Sequence, residues 1–246
     1  MSPLSVPAGS ATLRGGFVGL TVVLGALFIA AVYWSSIRTG LARKIAIRRT
    51  VVAGMLALAW IALTGTAAAR GLLHFSAPPT MLLTIAVSIV LAIVLALSPL
   101  GRRIALGLPV VALVSYQGFR VIVELLMHRA YSEGLMPVQM SYSGRNFDIV
   151  TGITALALGA WLATGHSSRK LLVTWNTLGV VLLVNILAVA FLSAPTPMRR
   201  FMNEPANDWI TRAPWVWLPT VMVFAAVFGH VALYRRLAGP RVILSS

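Results

Sequence analysis

Long apolar runs, each separated from the next by a short polar or basic connection, form the pattern of this chain. A run of about 20 apolar residues is long enough to cross the roughly 30 Å hydrocarbon core of a bilayer as a helix. The pattern therefore predicts an all-α membrane protein, one bundle over residues 1–246 with about seven transmembrane helices and short loops. The predicted helices cover residues 16–37, 50–73, 79–99, 108–131, 148–165, 170–193 and 214–235.

Smaller patterns predict how some of these helices pack. The fifth helix has small residues at helical spacing, which let helices approach closely in lipid. These are Gly152, Ala155, Gly159 and Ala163. The third helix has almost no polar side chain, which favours a lipid-facing or packing role over a place in a site wall. Pro219 predicts a kink in the last helix. Before that helix, Phe201, Pro205 and Trp209 predict the apolar side of a short amphipathic helix.

Composition agrees with a membrane protein, since 59% of the 246 residues are hydrophobic and 10% are charged. Cysteine is absent, which excludes disulfides, thiolate catalysis, iron–sulfur clusters and cysteine-ligated zinc. Arginine greatly outnumbers lysine beside frequent alanine, leucine and valine. We interpret this bias as that of a bacterial protein from a GC-rich genome, and we expect it in the inner membrane.

The net charge of +15 comes from basic residues in the connections between apolar runs, so it indicates membrane orientation and not nucleic-acid binding. The richer side carries Arg38, Arg43, Lys44, Arg48, Arg49, Arg102, Arg103, Arg169, Lys170, Arg235, Arg236 and Arg241. The opposite side carries Arg14, Arg70, Arg129, Arg145, Arg199, Arg200 and Arg212. Because positive residues concentrate on the cytoplasmic side, we expect the N-terminus outside and the C-terminus inside.

The fourth helix carries one polar stripe within its apolar sequence. At 100° per residue its polar residues fall on an arc about 80° wide. They are Gln117, Arg120, Glu124, His128 and Tyr131. Placing an arginine or a carboxylate in hydrocarbon costs roughly 2.5 to 3.5 kcal/mol on the insertion scale, so such residues mark a functional site.

Arg120 and Glu124 are four residues apart and are therefore expected to pair, each offsetting the desolvation of the other. One interpretation is a buried ion pair that holds helices in register. The other is a ligand or proton pathway, or a catalytic site, facing the outer side.

The segment 133–148, which follows this helix, is rich in polar groups on the same predicted side. Asn146 and Asp148 are placed to cap the next helix, and both are also candidate site residues. Arg145 is expected to pair with Glu133 or Asp148, or to contact an anion. Asn185, in the sixth helix, is a further candidate hydrogen-bonding group, with interhelical bonding as the alternative role.

The letters E-L-L-M-H-R, followed by E-G-L-M-P-V-Q-M-S-Y-S-G-R-N-F-D-I-V-T-G, resemble a widespread family of bacterial multi-pass membrane proteins without an assigned function. The resemblance covers residues 117–154. It implies a membrane location and selects no mechanism or site residue.

Several types of site can be tested against the sequence. A retinal protein needs a lysine in its last helix, and the only lysines are Lys44 and Lys170, so retinal is excluded and no cofactor is expected. The H-E-x-x-H metalloprotease motif, a phosphate-binding loop and a dinucleotide fingerprint are all missing. Glu124 and His128 have the spacing of metal ligands, and His74 could complete an outer metal site.

Three functions remain open. The preferred one is a protein that binds or transports a small polar or anionic solute at the stripe, with Glu124 and His128 exchanging protons. The second is an intramembrane enzyme acting on a lipid or polyprenyl substrate, with one of these residues as general base. The third is a structural subunit bound to a membrane partner or to another copy of the chain.

Overall fold

The structure, a computed structural model, describes residues 9–239 and is built from helices. In chain order the helices are α1 (Ala11–Arg38), α2 (Arg43–Ala69), α3 (Thr80–Leu97), α4 (Pro99–Gly107), α5 (Val110–Ser115), α6 (Phe119–Ser132), α7 (Ile149–Ala163), α8 (Arg169–Ser193) and α9 (Val223–Ala238). A 3-10 turn at Tyr116–Gly118 joins α5 to α6, and a π-helical turn at Leu218–Met222 precedes α9. Further 3-10 turns lie at Val138–Met140 and Trp209–Thr211.

Six helical segments of the described chain are long and apolar enough to cross a membrane, so the protein is a polytopic membrane protein. They are Ala11–Arg38, Arg43–Ala69, Thr80–Leu97, Val110–Ser132, Arg169–Ser193 and Leu218–Ala238. The fifth predicted span is present as α7, but it has 15 residues. At 1.5 Å per residue it reaches only about 22 Å. The predicted count of seven spans is therefore confirmed for six.

Small residues bring α7 against the α5–α6 span, as the sequence predicts. A Cβ on Gly152 would lie 2.7 Å from the Val121 backbone nitrogen, and one on Gly159 would collide with the Ser115 hydroxyl. Gly159 follows Gly152 in α7 but faces an earlier residue of the neighbouring span, so the two helices are antiparallel. This arrangement brings the start of α7 level with the middle of α6.

Pro219 changes the helix type at the start of the last span. Proline removes a backbone donor and clashes with the preceding turn, and the chain is π-helical at this position. The Trp60 indole N–H donates to the Thr220 carbonyl oxygen at 3.0 Å. The Trp217 indole donates in return to the Ile61 carbonyl oxygen at 3.1 Å. These two bonds attach α2 to the irregular turn.

The short connections between helices also carry structure. The predicted third helix, 79–99, ends at Leu97, and Pro99 begins α4, which fills the predicted connection 100–107. The Ser98 hydroxyl caps α4 by accepting a bond from the Gly101 N–H at 3.2 Å. Residues 203–208 are irregular, so the predicted amphipathic helix is wrong. Trp209 is 1% exposed and packs edge-on against Phe17. The spacing of the apolar residues favoured a helix on the surface, but the chain instead buries this tryptophan inside the bundle.

The buried apolar side chains form two clusters. One includes Phe17, Met136 and Trp215 and lies at the end of the bundle formed by residues 133–148 and 194–217, which we call the loop-rich end. The other includes Val32 and Leu172 and lies towards the opposite end. Exposed apolar side chains cover the outer faces of α2 and α3 and are suited to contact lipid; they include Leu56, Leu63, Leu83, Val90 and Val94.

Candidate functional site

The centre of the site is Arg120, which is 2% exposed in the middle of a membrane-spanning helix. Its Nε donates to Asp148 Oδ2 at 2.7 Å, and its Nη2 donates to the other carboxylate oxygen, Oδ1. Two parallel bonds of this kind match the planar guanidinium to a carboxylate. The predicted pairing of Arg120 with Glu124 is therefore wrong. Asp148 takes that place because the antiparallel packing of α7 brings its first residues level with Arg120.

His230 of α9 is a second hydrogen-bond partner of Arg120. The Arg120 Nη1 lies 2.8 Å from His230 Nε2. Because arginine has no acceptor, Nε2 must accept, and the ring proton must be on Nδ1. That Nδ1–H donates to Asn176 Oδ1 at 2.8 Å, while Asn176 Nδ2 donates to the His230 backbone oxygen at 3.1 Å. These contacts hold His230 in one neutral tautomer and join α6, α8 and α9.

Glycine makes room for this histidine. A Cβ on Gly179 would lie 2.6 Å from His230 Cε1. Neither His230 nor Asn176 was among the site residues predicted from the sequence. The sequence did offer a signal, since each is a polar residue within an otherwise apolar helix. In the structure both side chains are fully buried.

Asn146 links Glu124 to the same cluster. Its Nδ2 donates to Glu124 Oε2 at 2.6 Å and to the Met140 carbonyl oxygen at 3.0 Å. Its Oδ1 accepts the backbone N–H of Asp148 at 3.1 Å. The predicted capping role of Asn146 is thus present as one backbone bond. The predicted cap from Asp148 is wrong, since its side chain makes no capping bond and pairs with Arg120 instead.

The polar stripe continues on both sides of this cluster. Gln117 is 1% exposed, and its Nε2 donates to the Ala226 carbonyl oxygen at 3.2 Å. His128 is partly exposed nearer the loop-rich end, where its ring stacks on Tyr142 at 4.3 Å. Tyr131 is 37% exposed. Only the first three residues of the predicted stripe are therefore buried, and His128 and Tyr131 lie on its rim.

Arg145 and Asn185 lie outside the cluster. The Arg145 guanidinium is 5.2 Å from the centre of the Phe201 ring, and Asn185 Nδ2 donates to the Arg145 backbone oxygen at 2.8 Å. Among the described residues Arg145 forms no ion pair, so its predicted pairing with Glu133 or Asp148 is wrong. The Asp148 carboxylate pairs with Arg120, and the Glu133 carboxylate pairs with Arg129.

Glu133, just beyond the end of α6, attaches the N-terminal segment. Its carboxylate accepts the backbone N–H and the hydroxyl of Ser10, each at 2.6 Å, and the Arg129 Nε–H at 2.6 Å. Desolvation alone would raise the pKa of this carboxyl, but the bonds from Ser10 and Arg129 together lower the pKa below its usual value.

The predicted outer metal site does not assemble within residues 9–239. No group of three histidine, aspartate or glutamate side chains in that range is placed to hold an ion. The Nδ1 of His74 lies 2.9 Å from the Ser76 hydroxyl, and Glu124 is bound to Asn146. His128 contacts the Ser143 hydroxyl at 3.3 Å instead of a second ligand.

A cavity of about 260 Å³ lies beside the cluster. Arg120, Glu124 and Asp148 form one part of its wall, and the remainder is almost entirely apolar. The apolar wall comes from α3, α6, α8 and the start of the last span; it includes Leu82, Ile85, Phe119, Leu183, Leu187, Phe191, Met222 and Val223. The outer face of α3 is suited to contact lipid, as the sequence predicts, but another face of the same helix forms part of this wall.

Two oxygen atoms of buried residues that line the cavity have no hydrogen-bond partner among the described residues. Glu124 Oε1 receives no bond from the described residues, whereas its Oε2 is bound by Asn146. Asn207 is 1% exposed, and its N–H groups are used by the Ser193 and Ala190 carbonyl oxygens. Its Oδ1 is buried without a hydrogen-bond partner in the same part of the chain. These two lining residues therefore have unused acceptors and no unused donor.

Residues 77–238, well over half of the chain, match the family described as Domain of unknown function (DUF8737). The match includes every residue of the buried cluster and leaves α1 and α2 outside it. No curated protein and no solved structure matches the chain.

Proposed function

The chain belongs to the DUF8737 family, and we propose that it binds or transports a ligand with a hydrocarbon part in the cavity beside Glu124. The observation that carries this proposal is a cavity of about 260 Å³ with an apolar wall and one patch of buried polar groups. Small-molecule sites commonly combine apolar walls with a few fixed polar groups that orient the ligand. An apolar space of this size offers a favourable environment to a chain of methylene groups.

The contacts of Arg120 favour this ligand over the small anion that the sequence alone suggested. Arg120 donates two bonds to Asp148 and one to His230, so its charge is already neutralised by a buried partner. Drawing an anion to Arg120 would require breaking this pair, and removing one partner of a buried pair costs about 3 to 5 kcal/mol.

The lining residues also indicate how such a ligand reaches the cavity. Leu82 and Ile85 of α3 and Leu187 and Phe191 of α8 are partly exposed, whereas Glu124 and Asn207 are fully buried. The cavity therefore borders the surface between α3 and α8, where the helices face lipid. We propose entry from the lipid phase, in a bacterial inner membrane with the N-terminus outside and the C-terminus in the cytoplasm.

The test is ligand-dependent thermal stability of the purified protein in detergent, using ten-carbon probes that differ in their head group. A ligand at about 100 times its Kd stabilises the folded state by about 2.7 kcal/mol. For a chain of this size, that stabilisation raises Tm by roughly 5 to 10 °C. We expect at least one of decylamine, 1-decanol and decanoate to produce a saturable shift.

A matched pair of alanine substitutions separates binding in the cavity from detergent effects. Ala190 of α8 lines the cavity, whereas Ala188 of the same helix is exposed outside it. Ala190→Phe should remove the shift, and Ala188→Phe should retain it. Equal shifts in both variants, or no shift with any probe in the wild type, would contradict the proposal.

A second candidate function is an intramembrane enzyme acting on a lipid or polyprenyl substrate. The free Oε1 of Glu124 beside the cavity favours it, because a general base must lie within hydrogen-bonding reach of the proton that it removes. Mass spectrometry of lipid extracts incubated with the protein distinguishes binding or transport from catalysis. Binding or transport leaves the ligand chemically unchanged. Catalysis yields a product, and Glu124→Gln should abolish its formation.

A further inference from the structure

We infer that the ligand of this cavity is a lipophilic cation, an amphiphile with an ammonium head group, whose head binds at Glu124 and Asn207. The inference rests on the proposed function and specifies its ligand class. It follows from two features of the wall: Glu124 has no counter-charge left to it among the described lining residues, and two acceptors have no hydrogen-bond partner.

The charges around Glu124 do not cancel. Arg120, from the same helix, and Asp148, from the start of α7, neutralise each other in a bidentate pair. His230 of α9 is neutral in the tautomer that its contacts require. The cavity-lining residues of α3 and α8 carry no charge. Within the described wall, an ionised Glu124 is therefore one negative charge without a positive partner.

Such a charge requires compensation. An isolated carboxylate in an apolar environment is strongly disfavoured, and a group in this position either takes up a proton or pairs with a cation. Its hydrogen bond from Asn146 is compatible with both states, because Oε2 accepts in either. Proton and ligand cation therefore compete for the same carboxylate.

The free acceptors match the chemistry of an ammonium head. A primary ammonium has three N–H donors and no acceptor, whereas a carboxylate head has acceptors alone. Asn207 Oδ1 and the ionised Glu124 Oε1 are both acceptors, so they complement the first head group and repel the second. The apolar wall then contacts the alkyl part of the ligand.

Exchange at this site conserves charge. When the cation enters, the N–H⁺···O⁻ contact with Glu124 forms, the carboxyl O–H bond breaks, and one proton leaves to the solution. Binding of one monovalent cation to the protonated site thus releases one proton. Cation affinity should consequently fall as the pH is lowered and protons occupy the carboxyl group.

The experiment compares decylamine, 1-decanol and decanoate, which share one chain length and differ in head-group charge. We expect decylammonium to bind at least ten times more tightly than decanol, with decanoate weakest. Glu124→Gln should reduce the preference for the cation to less than twofold. Glu204→Gln is the matched control, because Glu204 pairs with Arg199 at an exposed position, and it should retain the full preference.

A second measurement needs no variant and stays informative if Glu124→Gln fails to fold. Titration calorimetry of the wild type with decylamine, in buffers of different ionisation enthalpy, counts the protons released on binding. We expect a release that approaches one proton as the pH is lowered. No release at any pH would overturn the exchange of proton for cation.

The outcomes distinguish this inference from the function on which it rests. If all three probes bind alike, or if Glu124→Gln keeps the cation preference, the lipophilic-cation inference is overturned while the proposed cavity ligand stands. If no probe binds to the wild type, the proposed function fails and the inference fails with it. Preference for decylammonium that depends on Glu124 supports both.

Discussion

Replacing Asp148 with asparagine should destabilise the protein strongly, because it leaves the Arg120 guanidinium buried without a counter-charge. The two side chains are 2% and 8% exposed, and the carboxylate accepts two guanidinium bonds. Asparagine has nearly the same shape, but it places one amide N–H₂ against a donor. Breaking a buried pair in this way costs about 3 to 5 kcal/mol. At roughly 2 to 4 °C per kcal/mol, Tm should fall by roughly 6 to 20 °C.

Thermal unfolding followed by tryptophan fluorescence in detergent measures this effect. Asp208→Asn is the matched control, because Asp208 pairs with Arg212 at 2.8 Å with both side chains well exposed. Exposed pairs contribute about 0 to 1 kcal/mol, so this variant should unfold near the wild-type Tm. A double replacement of Arg120 by Met and Asp148 by Leu should recover much of the loss. Equal Tm values for Asp148→Asn and Asp208→Asn would refute the reasoning.

Two further predictions test packing and pH dependence. Gly159→Ala should destabilise by about 1 to 3 kcal/mol in chemical or thermal unfolding, because its Cβ collides with Ser115, whereas Gly19→Ala has open space and should not. The lowered pKa of Glu133 stabilises the folded state above about pH 4.3, and this contribution is lost as the pH falls through the folded-state pKa. Glu133→Gln should therefore flatten the fall in Tm on acidification, and an unchanged pH profile would contradict this role.

Part of the site could be predicted from residue spacing within one helix. Gln117, Arg120 and Glu124 share a helix face and are all buried, as the stripe implied. His128 and Tyr131 continue the same face but lie on its rim. Spacing within a helix specifies the direction in which each side chain projects from the helix axis. It does not specify how deeply other helices bury that side chain.

The partners of these residues could not be predicted in the same way. The i, i+4 rule favoured Arg120 with Glu124, yet the observed partners are Asp148, 28 residues away, and His230, 110 residues away. A bidentate carboxylate and a fixed imidazole satisfy more guanidinium donors than one carboxylate on the same helix. Asn207 could not be predicted as a site residue either, because its role depends on its burial in an irregular segment.

The sequence by itself determined that this is an all-helical membrane protein, which regions form most of its helices and where small residues allow close packing. These properties follow from local hydrophobicity and from the need of backbone N–H and C=O groups for internal hydrogen bonds in lipid. The tertiary structure alone decided which charges pair, which acceptors remain free and where the cavity lies. Those features depend on contacts between distant segments, and the antiparallel packing of α7 on α5–α6 brings the segments together.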